Sequence, residues 1–320
     1  MRVLVVGAGA TGGYFGGRML QAGRDITFLV RPRRAAELAS IGLVIKSPKG
    51  DVALRAPKTV LAEDLSHPFD LVLLSCKAYD LEGAVASFAP AVGADTMILP
   101  LLNGMKHLEL LDARFGRAKV LGGLCAIAAT LDAQRTIVHM SAFHSLTFGE
   151  RDGGLTDRIR AAADVILGAG FDARASEQIL DDMWEKWVLL ATLASATCLM
   201  RAPVGDIVAA PGGRELILSL LEECRATAEA AGYAPRAPFL ERTRTTLTTP
   251  GSPFTASMLR DIEGNGPIEA DHIIGDLLRR GGGQGAPSRD ASALQIAYAH
   301  LKAYEARRAR TLAAADGPRS

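Results

Sequence analysis

The sequence predicts an α/β fold in which an N-terminal doubly wound parallel sheet is followed by an all-helical C-terminal domain. First, an apolar run from Met1 to Val6 leads directly into a glycine-rich turn and then a helical pattern. Second, short apolar runs alternate with helical patterns over the first half of the 320-residue chain. Third, from about Ser176 onward the apolar residues recur with helical spacing alone.

The turn after the first strand has the G-x-G-x-x-G spacing of a Rossmann-type dinucleotide site. Gly7 permits the tight turn, Gly9 lets the backbone approach a pyrophosphate, and Gly12 lets the following helix pack closely on the sheet. That helix would present free N–H groups and its positive dipole end to the phosphates. The predicted cofactor-binding residues of this turn are Gly7, Ala8, Gly9, Ala10, Thr11 and Gly12.

The second predicted strand ends in a base rather than an acid. Enzymes that use NAD usually place an acidic residue about 20 residues on to hold the ribose 2′-hydroxyl. Asp25 precedes the strand, whereas Arg31 follows it. Because a guanidinium suits a 2′-phosphate, the sequence favours NADPH over NADH, with Arg33 or Arg34 able to assist Arg31. A solvated basic turn would contain the same residues.

The composition is that of an ordinary globular protein, with 48% hydrophobic residues, 22% charged residues and a net charge of +1. This balance indicates neither nucleic acid nor an anionic membrane as a partner. The four cysteines are isolated and no Cys/His cluster has zinc spacing, so we expect no metal site. With no secretory signal pattern and no transmembrane run, a cytoplasmic protein that acts on a small molecule is predicted.

The remaining elements of the first half are short apolar strands and a helix at residues 156–168. The later strands would form a mixed, partly antiparallel edge of the same sheet. The predicted strands are Asp70–Cys76, Thr96–Leu102, Val120–Thr130, Thr136–Met140 and Ser145–Gly149.

The second half reads as helices throughout. We expect a dinucleotide-binding domain at residues 1–172, a helical substrate domain at 173–312 and a frayed tail at 313–320, with a small substrate in the cleft between the domains. A glycine-rich turn is predicted at Gly281–Gly285. The predicted helices are Ser176–Met200, Gly213–Ala231, Phe239–Thr248, Ser257–Glu263, Pro267–Arg280 and Ala291–Ala309.

Two polar residues follow predicted parallel strands, where the carboxyl ends of an open sheet meet a ligand. Lys77 could contact a cofactor phosphate or ribose, and it could equally be a surface lysine. Asn103 could hydrogen-bond a substrate or the nicotinamide ribose. Because Asn-Gly is a common turn pair, Asn103-Gly104 could also be an ordinary turn.

Three further candidates lie in the helical half. Lys186 stands between aromatic and apolar residues, so it could be a desolvated proton donor or a lysine whose stem covers apolar surface. Ser257 could be a helix N-cap, and Glu269 a first-turn acid favoured by the helix dipole. The pattern alone does not raise Ser257 or Glu269 above these structural roles.

Taken in order, these segments resemble the ketopantoate reductase family (2-dehydropantoate 2-reductases) over nearly the whole chain. The resemblance is specific as an ordered set, although each piece alone is common. It is carried by the N-terminal Gly-Ala-Gly-Ala-Thr-Gly-Gly-Tyr-Phe-Gly, Arg31, Lys77-Ala78-Tyr79-Asp80, Asn103-Gly104-Met105, Trp184-Glu185-Lys186, the segment from Ser257 to Glu263, and Glu269.

The resemblance implies a role for each site residue. The glycine turn, Arg31 and Lys77 would bind NADPH, and Asn103 would lie between the nicotinamide and the substrate. Lys186 would donate the proton to the carbonyl oxygen while the nicotinamide supplies hydride. Ser257 would contact the substrate carboxylate, and Glu269 would hold the cofactor or the active-site network. Helical second domains in such reductases often dimerise, so a homodimer is compatible with the resemblance.

The chain departs from the family at the substrate-binding asparagines. The corresponding positions are Leu190, Ala194 and, with a less certain alignment, Val204. Removing polar contacts built for a substrate group changes specificity by a large factor. The hydroxyls of Thr192, Ser195 and Thr197 lie on the same predicted helix but not all on one face.

Three functions therefore compete. The first is NADPH-dependent reduction of 2-dehydropantoate to pantoate for pantothenate biosynthesis. The second keeps the machinery but reduces a more apolar ketone or 2-oxo acid. The third is a non-catalytic NADPH-binding sensor, which has no need of a proton donor such as Lys186.

Overall fold

The computed structural model describes residues 1–282 and 291–316. By backbone contacts the chain forms two compact units. The α/β unit comprises Met1–Leu102 and His107–Asp182, and the helical unit comprises Asn103–Lys106 and the chain from Met183 onward. The predicted fold class, a parallel sheet with alternating helices followed by a helical part, is confirmed. The predicted boundary at residues 172 and 173 stays a prediction.

The strands of the described residues all belong to the α/β unit. They are β1 (Arg2–Val6), β2 (Asp25–Leu29), β3 (Leu43–Lys46), β4 (Val52–Leu54), β5 (Thr59–Val60), β6 (Leu71–Leu74), β7 (Met97–Pro100), β8 (Gly122–Leu131), β9 (Ile137–Gly149) and β10 (Asp172–Ala175).

The first sheet is parallel, with strand order β5-β2-β1-β6-β7. Its central strands are near-continuous apolar runs and almost entirely buried, as is usual for parallel sheets. In the register, Val6 of β1 lies beside Leu29 of β2 and Leu74 of β6. The strand order reverses at β1, and ligands bind beyond the carboxyl ends of the strands at such a switch point. The residues that follow these strands therefore begin at one edge of the sheet.

The later strands do not extend this sheet, so the predicted mixed edge is wrong. They form a second sheet of order β10-β9-β3-β4, with β8 antiparallel on β9. The two strands predicted around residues 136–149 are the single strand β9. Its pairing register with β8 shifts at a bulge between Ile127 and Ala129, where the Ala128 N–H donates to Ser141 Oγ at 3.0 Å.

The α/β unit contains five α-helices, and a sixth begins in it. The last of these, α6, continues into the helical unit from Met183 onward. The helices are α1 (Ala10–Gln21), α2 (Pro32–Ile41), α3 (Leu81–Phe88), α4 (Lys106–Phe115), α5 (Asp157–Ile166) and α6 (Ile179–Met200).

The helical unit contains the rest of α6 and the helices that follow it. Residues 267–269, predicted as helical, precede a π-helical turn at Asp271–Gly275, which leads into a helix. The remaining helices of the described residues are α7 (Val204–Ala209), α8 (Gly213–Ala230), α9 (Ala237–Leu247), α10 (Ser257–Glu263), α11 (Asp276–Arg280) and α12 (Ala293–Asp316).

Helix α12 continues past the predicted start of the tail at residue 313. Residues 317–320 of that tail, and residues 283–285 of the predicted glycine turn, lie outside the described residues. Within residues 1–282 and 291–316, no helix is both long and apolar enough to cross a membrane.

The turn between β1 and α1 combines one open glycine and one tightly packed glycine. A Cβ atom on Gly9 would meet no atom within 4 Å. A Cβ atom on Gly12 would overlap the Ser75 hydroxyl and lie 2.5 Å from the Gly7 carbonyl oxygen. Gly12 therefore sets how closely α1 approaches the end of β6.

This difference predicts the stability of two matched variants. Gly12→Ala is expected to lower the free energy of unfolding by about 1–3 kcal/mol, since the added methyl overpacks a closed contact. Gly9→Ala adds the same methyl to open space and should leave the stability near that of the parent protein. Urea unfolding of the three proteins checks this, and equal stabilities of the two variants would contradict the packing described.

Candidate functional site

The glycine turn is a cradle with open space beside its backbone. Gly7 has a φ of 91°, a conformation that favours glycine, and its N–H donates to the Leu29 carbonyl at 2.9 Å. Gly9 is the N-cap of α1 and offers no side chain to cap it, and the first turn of α1 has no acidic residue. The N-terminus of α1 therefore suits an anion such as a pyrophosphate.

A buried arginine supports this turn from α2. Arg34 is 7% exposed, and its Nε donates to the Ala8 carbonyl at 3.2 Å while its Nη1 donates to Glu37 at 3.1 Å. Burial lowers the pKa of the Arg34 guanidinium. Glu37 also pairs with Arg33 and Arg135. Arg34 thus ties the glycine turn to α2, a role that the sequence did not predict.

Arg31 is placed differently from Arg34. It is the N-cap residue of α2, and its side chain is 84% exposed. Its guanidinium lies 3.1 Å from Asp80, in the turn that directly follows Lys77. Exposed pairs of this kind contribute about 0–1 kcal/mol, so an anionic ligand can take the place of Asp80. Lys77 is half-buried at the end of the segment that follows β6.

In the helical unit, the structure brings two predicted residues together. Lys186 is half-buried on α6, and its Nζ donates to Asn103 Oδ1 at 3.0 Å. Trp184 and Trp187, on either side of Lys186 in the chain, are almost completely buried. Glu185 accepts hydrogen bonds from the Arg236 backbone and guanidinium. The helix around Lys186 is therefore held by buried neighbours, and the Lys186 ammonium is hydrogen-bonded to the Asn103 side-chain oxygen.

The α6 face that carries Lys186 is apolar over its next two turns. Leu190 and Ala194 follow at four-residue intervals, so they share that face. Leu190 is half-buried and Ala194 is 3% exposed. The chain contains two asparagines, Asn103 and Asn265, and neither lies on α6.

The two threonine hydroxyls of α6 donate their protons to the helix backbone. Thr192 donates to the Val188 carbonyl at 2.8 Å, and Thr197 donates to the Leu193 carbonyl at 2.7 Å. Such bonds to the preceding helical turn occupy the hydroxyl proton. The hydroxyl of Ser195 is fully buried and has no hydrogen-bond partner among the described residues.

The other predicted residues lie on nearby segments of the same unit. Ser257 is exposed and is the first residue of α10, whose N-cap is Ala256. The Ala256 N–H donates to Thr197 Oγ1 at 3.4 Å, which connects this segment to α6. Glu269 is 8% exposed and directly precedes the helical segment that contains the π-helical turn. Val204 is buried, and its N–H donates to the Phe254 carbonyl.

One residue beside the Lys186–Asn103 pair was not predicted. His272 is buried, and its imidazole hydrogen-bonds the backbone of Asn103. In the sequence it is only a histidine within an apolar helical pattern, three residues after Glu269. A pattern of that kind marks a core position and does not indicate which backbone group the ring reaches.

Comparison with known proteins identifies the family. The sequence model of ketopantoate reductase PanE/ApbA matches residues 3–153, and that of the ketopantoate reductase PanE/ApbA C terminal matches residues 178–305. The uncharacterized oxidoreductase YkpB of Bacillus subtilis is 38% identical over 306 residues, which cover 96% of this chain and 99% of YkpB.

Two solved structures share the fold over almost the whole chain. The 2-dehydropantoate 2-reductase of Methylococcus capsulatus is 28% identical with a TM-score of 0.83, covering 96% of this chain and 98% of that one. A ternary structure of D-mandelate dehydrogenase with NADH and anilino(oxo)acetate is 19% identical with a TM-score of 0.84, covering 97% and 100%. With both family models matched and the fold shared, the chain belongs to the ketopantoate reductase family of oxidoreductases.

Proposed function

We propose that this protein reduces a small 2-oxo acid to the 2-hydroxy acid with NADPH, and that Lys186 supplies the proton. The family assigns 2-dehydropantoate as the substrate and pantoate, for pantothenate biosynthesis, as the product. The main observation behind the proposal is the hydrogen bond from Lys186 Nζ to Asn103 Oδ1 at 3.0 Å. This bond holds the ammonium of a half-buried lysine in a fixed position.

The residues of the glycine turn fit a dinucleotide. Gly7 and Gly9 leave the space that a Cβ would fill, and the first turn of α1 carries no acidic side chain. We assign the pyrophosphate to residues 7–12 and the 2′-phosphate to Arg31, with Lys77 as a further contact. Asn103 and Glu269 are the contacts proposed from the helical unit.

The proton transfer follows from the chemistry of an ammonium group. When bound, NADPH supplies the hydride that reaches the carbonyl carbon. Lys186 has three N–H donors, so its bond to Asn103 is compatible with another to the carbonyl oxygen. As negative charge develops on that oxygen, Lys186 stabilises it and gives up a proton, forming the hydroxyl. Lys186 then regains a proton from solvent, and Ser257 is proposed to hold the substrate carboxylate.

The first test removes the proton donor. Lys186→Met keeps an unbranched apolar stem but has no ammonium, so kcat is expected to fall by roughly 10²- to 10⁴-fold. The dissociation constant for NADPH should stay unchanged, because the phosphates are assigned elsewhere. Steady-state kinetics and fluorescence titration with NADPH measure the two quantities. Lys58→Met, at an exposed position, is the control, and full turnover by Lys186→Met would contradict the proposed role.

The second test concerns the choice of nucleotide. Arg31→Ala removes the guanidinium assigned to the 2′-phosphate, so NADPH affinity should fall by about tenfold or more, the equivalent of one charge-assisted hydrogen bond. NADH affinity should change little. Arg160→Ala is the matched control, since Arg160 is also an exposed arginine paired with an acid, Asp157. Equal losses for both nucleotides would remove the argument for NADPH.

A more apolar 2-oxo acid is the second candidate substrate. Leu190 and Ala194 present no polar group on the Lys186 face, and the hydroxyl protons of Thr192 and Thr197 are committed to the helix backbone. A substrate hydroxyl buried there would lose its hydrogen bonds to water. D-mandelate dehydrogenase, which shares the fold, is a precedent, because its ternary complex contains the aryl-substituted ligand anilino(oxo)acetate.

A matched pair of ketones separates the two candidates. Trimethylpyruvate has the carbon skeleton of 2-dehydropantoate without its hydroxyl. If the face of Leu190 determines specificity, kcat/KM for trimethylpyruvate exceeds that for 2-dehydropantoate. Leu190→Asn should then shift the ratio toward 2-dehydropantoate by about tenfold. Leu199→Asn, at a half-buried leucine on the opposite side of α6, should not. A strong preference of the parent protein for 2-dehydropantoate would favour the family substrate.

A further inference from the structure

We propose that His272 is a positioning residue, whose imidazole fixes the Asn103–Gly104 turn and thereby the hydrogen bond between Asn103 and Lys186. The inference rests on the proposed function, because Lys186 is the proposed proton donor. In this scheme His272 is neither the proton donor nor a substrate contact. It acts through Asn103.

Two independent contacts connect His272 to the turn. Its imidazole donates a hydrogen bond to the backbone carbonyl of Asn103. Its main chain closes over the next residue, because a Cβ on Gly104 would lie 2.8 Å from the His272 carbonyl oxygen and 3.2 Å from its Cδ2 atom. Gly104 has a φ of 75°, so the turn needs glycine for its conformation as well. One buried residue therefore holds both halves of the Asn103–Gly104 turn.

Ile273, the residue after His272, holds the part of α6 that carries Lys186. Trp187 is 1% exposed, and its Nε1 donates to the Ile273 carbonyl at 2.9 Å. Trp187 directly follows Lys186 on α6. Consecutive residues of the π-helical turn, His272 and Ile273, therefore fix Asn103 on one side and the base of Lys186 on the other. Single π-helical turns of this kind often occur at functional sites.

Helix α12 supports the π-helical turn at both of its ends. Tyr298 donates to Asp271 at 2.6 Å, and Lys302 lies 2.9 Å from the same carboxylate. The Tyr298 ring also closes over Gly275, where a Cβ would lie 3.0 Å from the phenol oxygen. The turn that carries His272 is thus held from α12 as well as from α6. A fixed support is what a positioning residue requires.

Burial and nearby charges together lower the pKa of the His272 imidazole. Burial is the largest influence and lowers the pKa of the imidazole, and Lys106 acts in the same direction. Glu269 and Asp276 oppose them, as does the hydrogen bond to Asn103. The lowered pKa favours the neutral imidazole.

His272→Phe removes the donor but keeps a ring of similar size. Because a misplaced catalytic group costs rate more than binding, kcat should fall by roughly 10- to 100-fold. The NADPH dissociation constant should change much less, because most of the proposed cofactor contacts lie on the glycine turn, Arg31 and Lys77. His300→Phe, a half-exposed histidine on α12, is the control and should retain full activity. Unchanged kcat in a folded His272→Phe protein would overturn the proposal.

A double-mutant cycle separates positioning from general destabilisation. If His272 acts through Asn103, adding His272→Phe to Asn103→Ala causes no further loss of kcat. Multiplied losses would mean that His272 acts by another route, and would overturn the proposal. If His272→Phe does not fold, Gly104→Ala takes its place in the cycle, because the added methyl displaces the same turn while His272 stays intact. No further loss of kcat beyond Asn103→Ala supports the proposal, and multiplied losses overturn it.

A second measurement does not depend on turnover. Because the chain contains two asparagines, ¹⁵N-asparagine labelling gives two side-chain amide signals, and Asn265→Ser assigns them. Lys186→Met should shift the Asn103 signal in the parent protein and shift it much less in the His272→Phe background. An equal shift in both backgrounds would overturn the proposal. If the parent protein reduces no 2-oxo acid, the proposed function fails, and these spectra still decide whether His272 positions Asn103.

Discussion

The hydrogen bond between Lys186 and Asn103 is the contact on which the rest of the site depends. It joins residues 83 positions apart in the chain. Asn103 follows the segment after β7, yet it belongs by its contacts to the helical unit. Lys186 is held one turn into the part of α6 that lies in that unit. An ammonium on a flexible four-carbon stem has many rotamers, so an oxygen at a fixed place is needed to select one.

Two of the supports of this contact are hydrogen bonds from buried side chains to backbone carbonyls. The carbonyl of Asn103 and the carbonyl of Ile273 each accept one side-chain donor, from His272 and Trp187 respectively. Buried donors of this kind are costly to leave unpaired, which gives the arrangement its directionality. The glycine turn in the α/β unit follows the same logic, since a buried arginine, Arg34, donates to the Ala8 carbonyl. In both places a side chain fixes the backbone that would meet a ligand.

Local patterns predicted the elements that depend on neighbours in sequence. The buried strand β1, the glycine turn and α1 follow directly from an apolar run and the spacing of Gly7, Gly9 and Gly12. The pairing of strands that are far apart in the sequence was harder to predict. The second sheet depends on the pairing of β9 with β3 and β10, and its continuity depends on a bulge near Ala128, none of which has a local signature. His272 illustrates the same limit, because its partner lies in a distant turn.

The proposed preference for a more apolar substrate rests on the face of α6 that carries Lys186. Leu190 and Ala194 follow Lys186 on that face, and the nearby threonine hydroxyls donate to their own helix. The most direct measurement is a crystal structure of the protein with NADP⁺ and trimethylpyruvate. The ketone oxygen should lie within hydrogen-bond distance of Lys186 Nζ, with the methyl groups against Leu190 and Ala194. A ketone oxygen bound by another side chain, with Lys186 remote from it, would contradict the central role of Lys186.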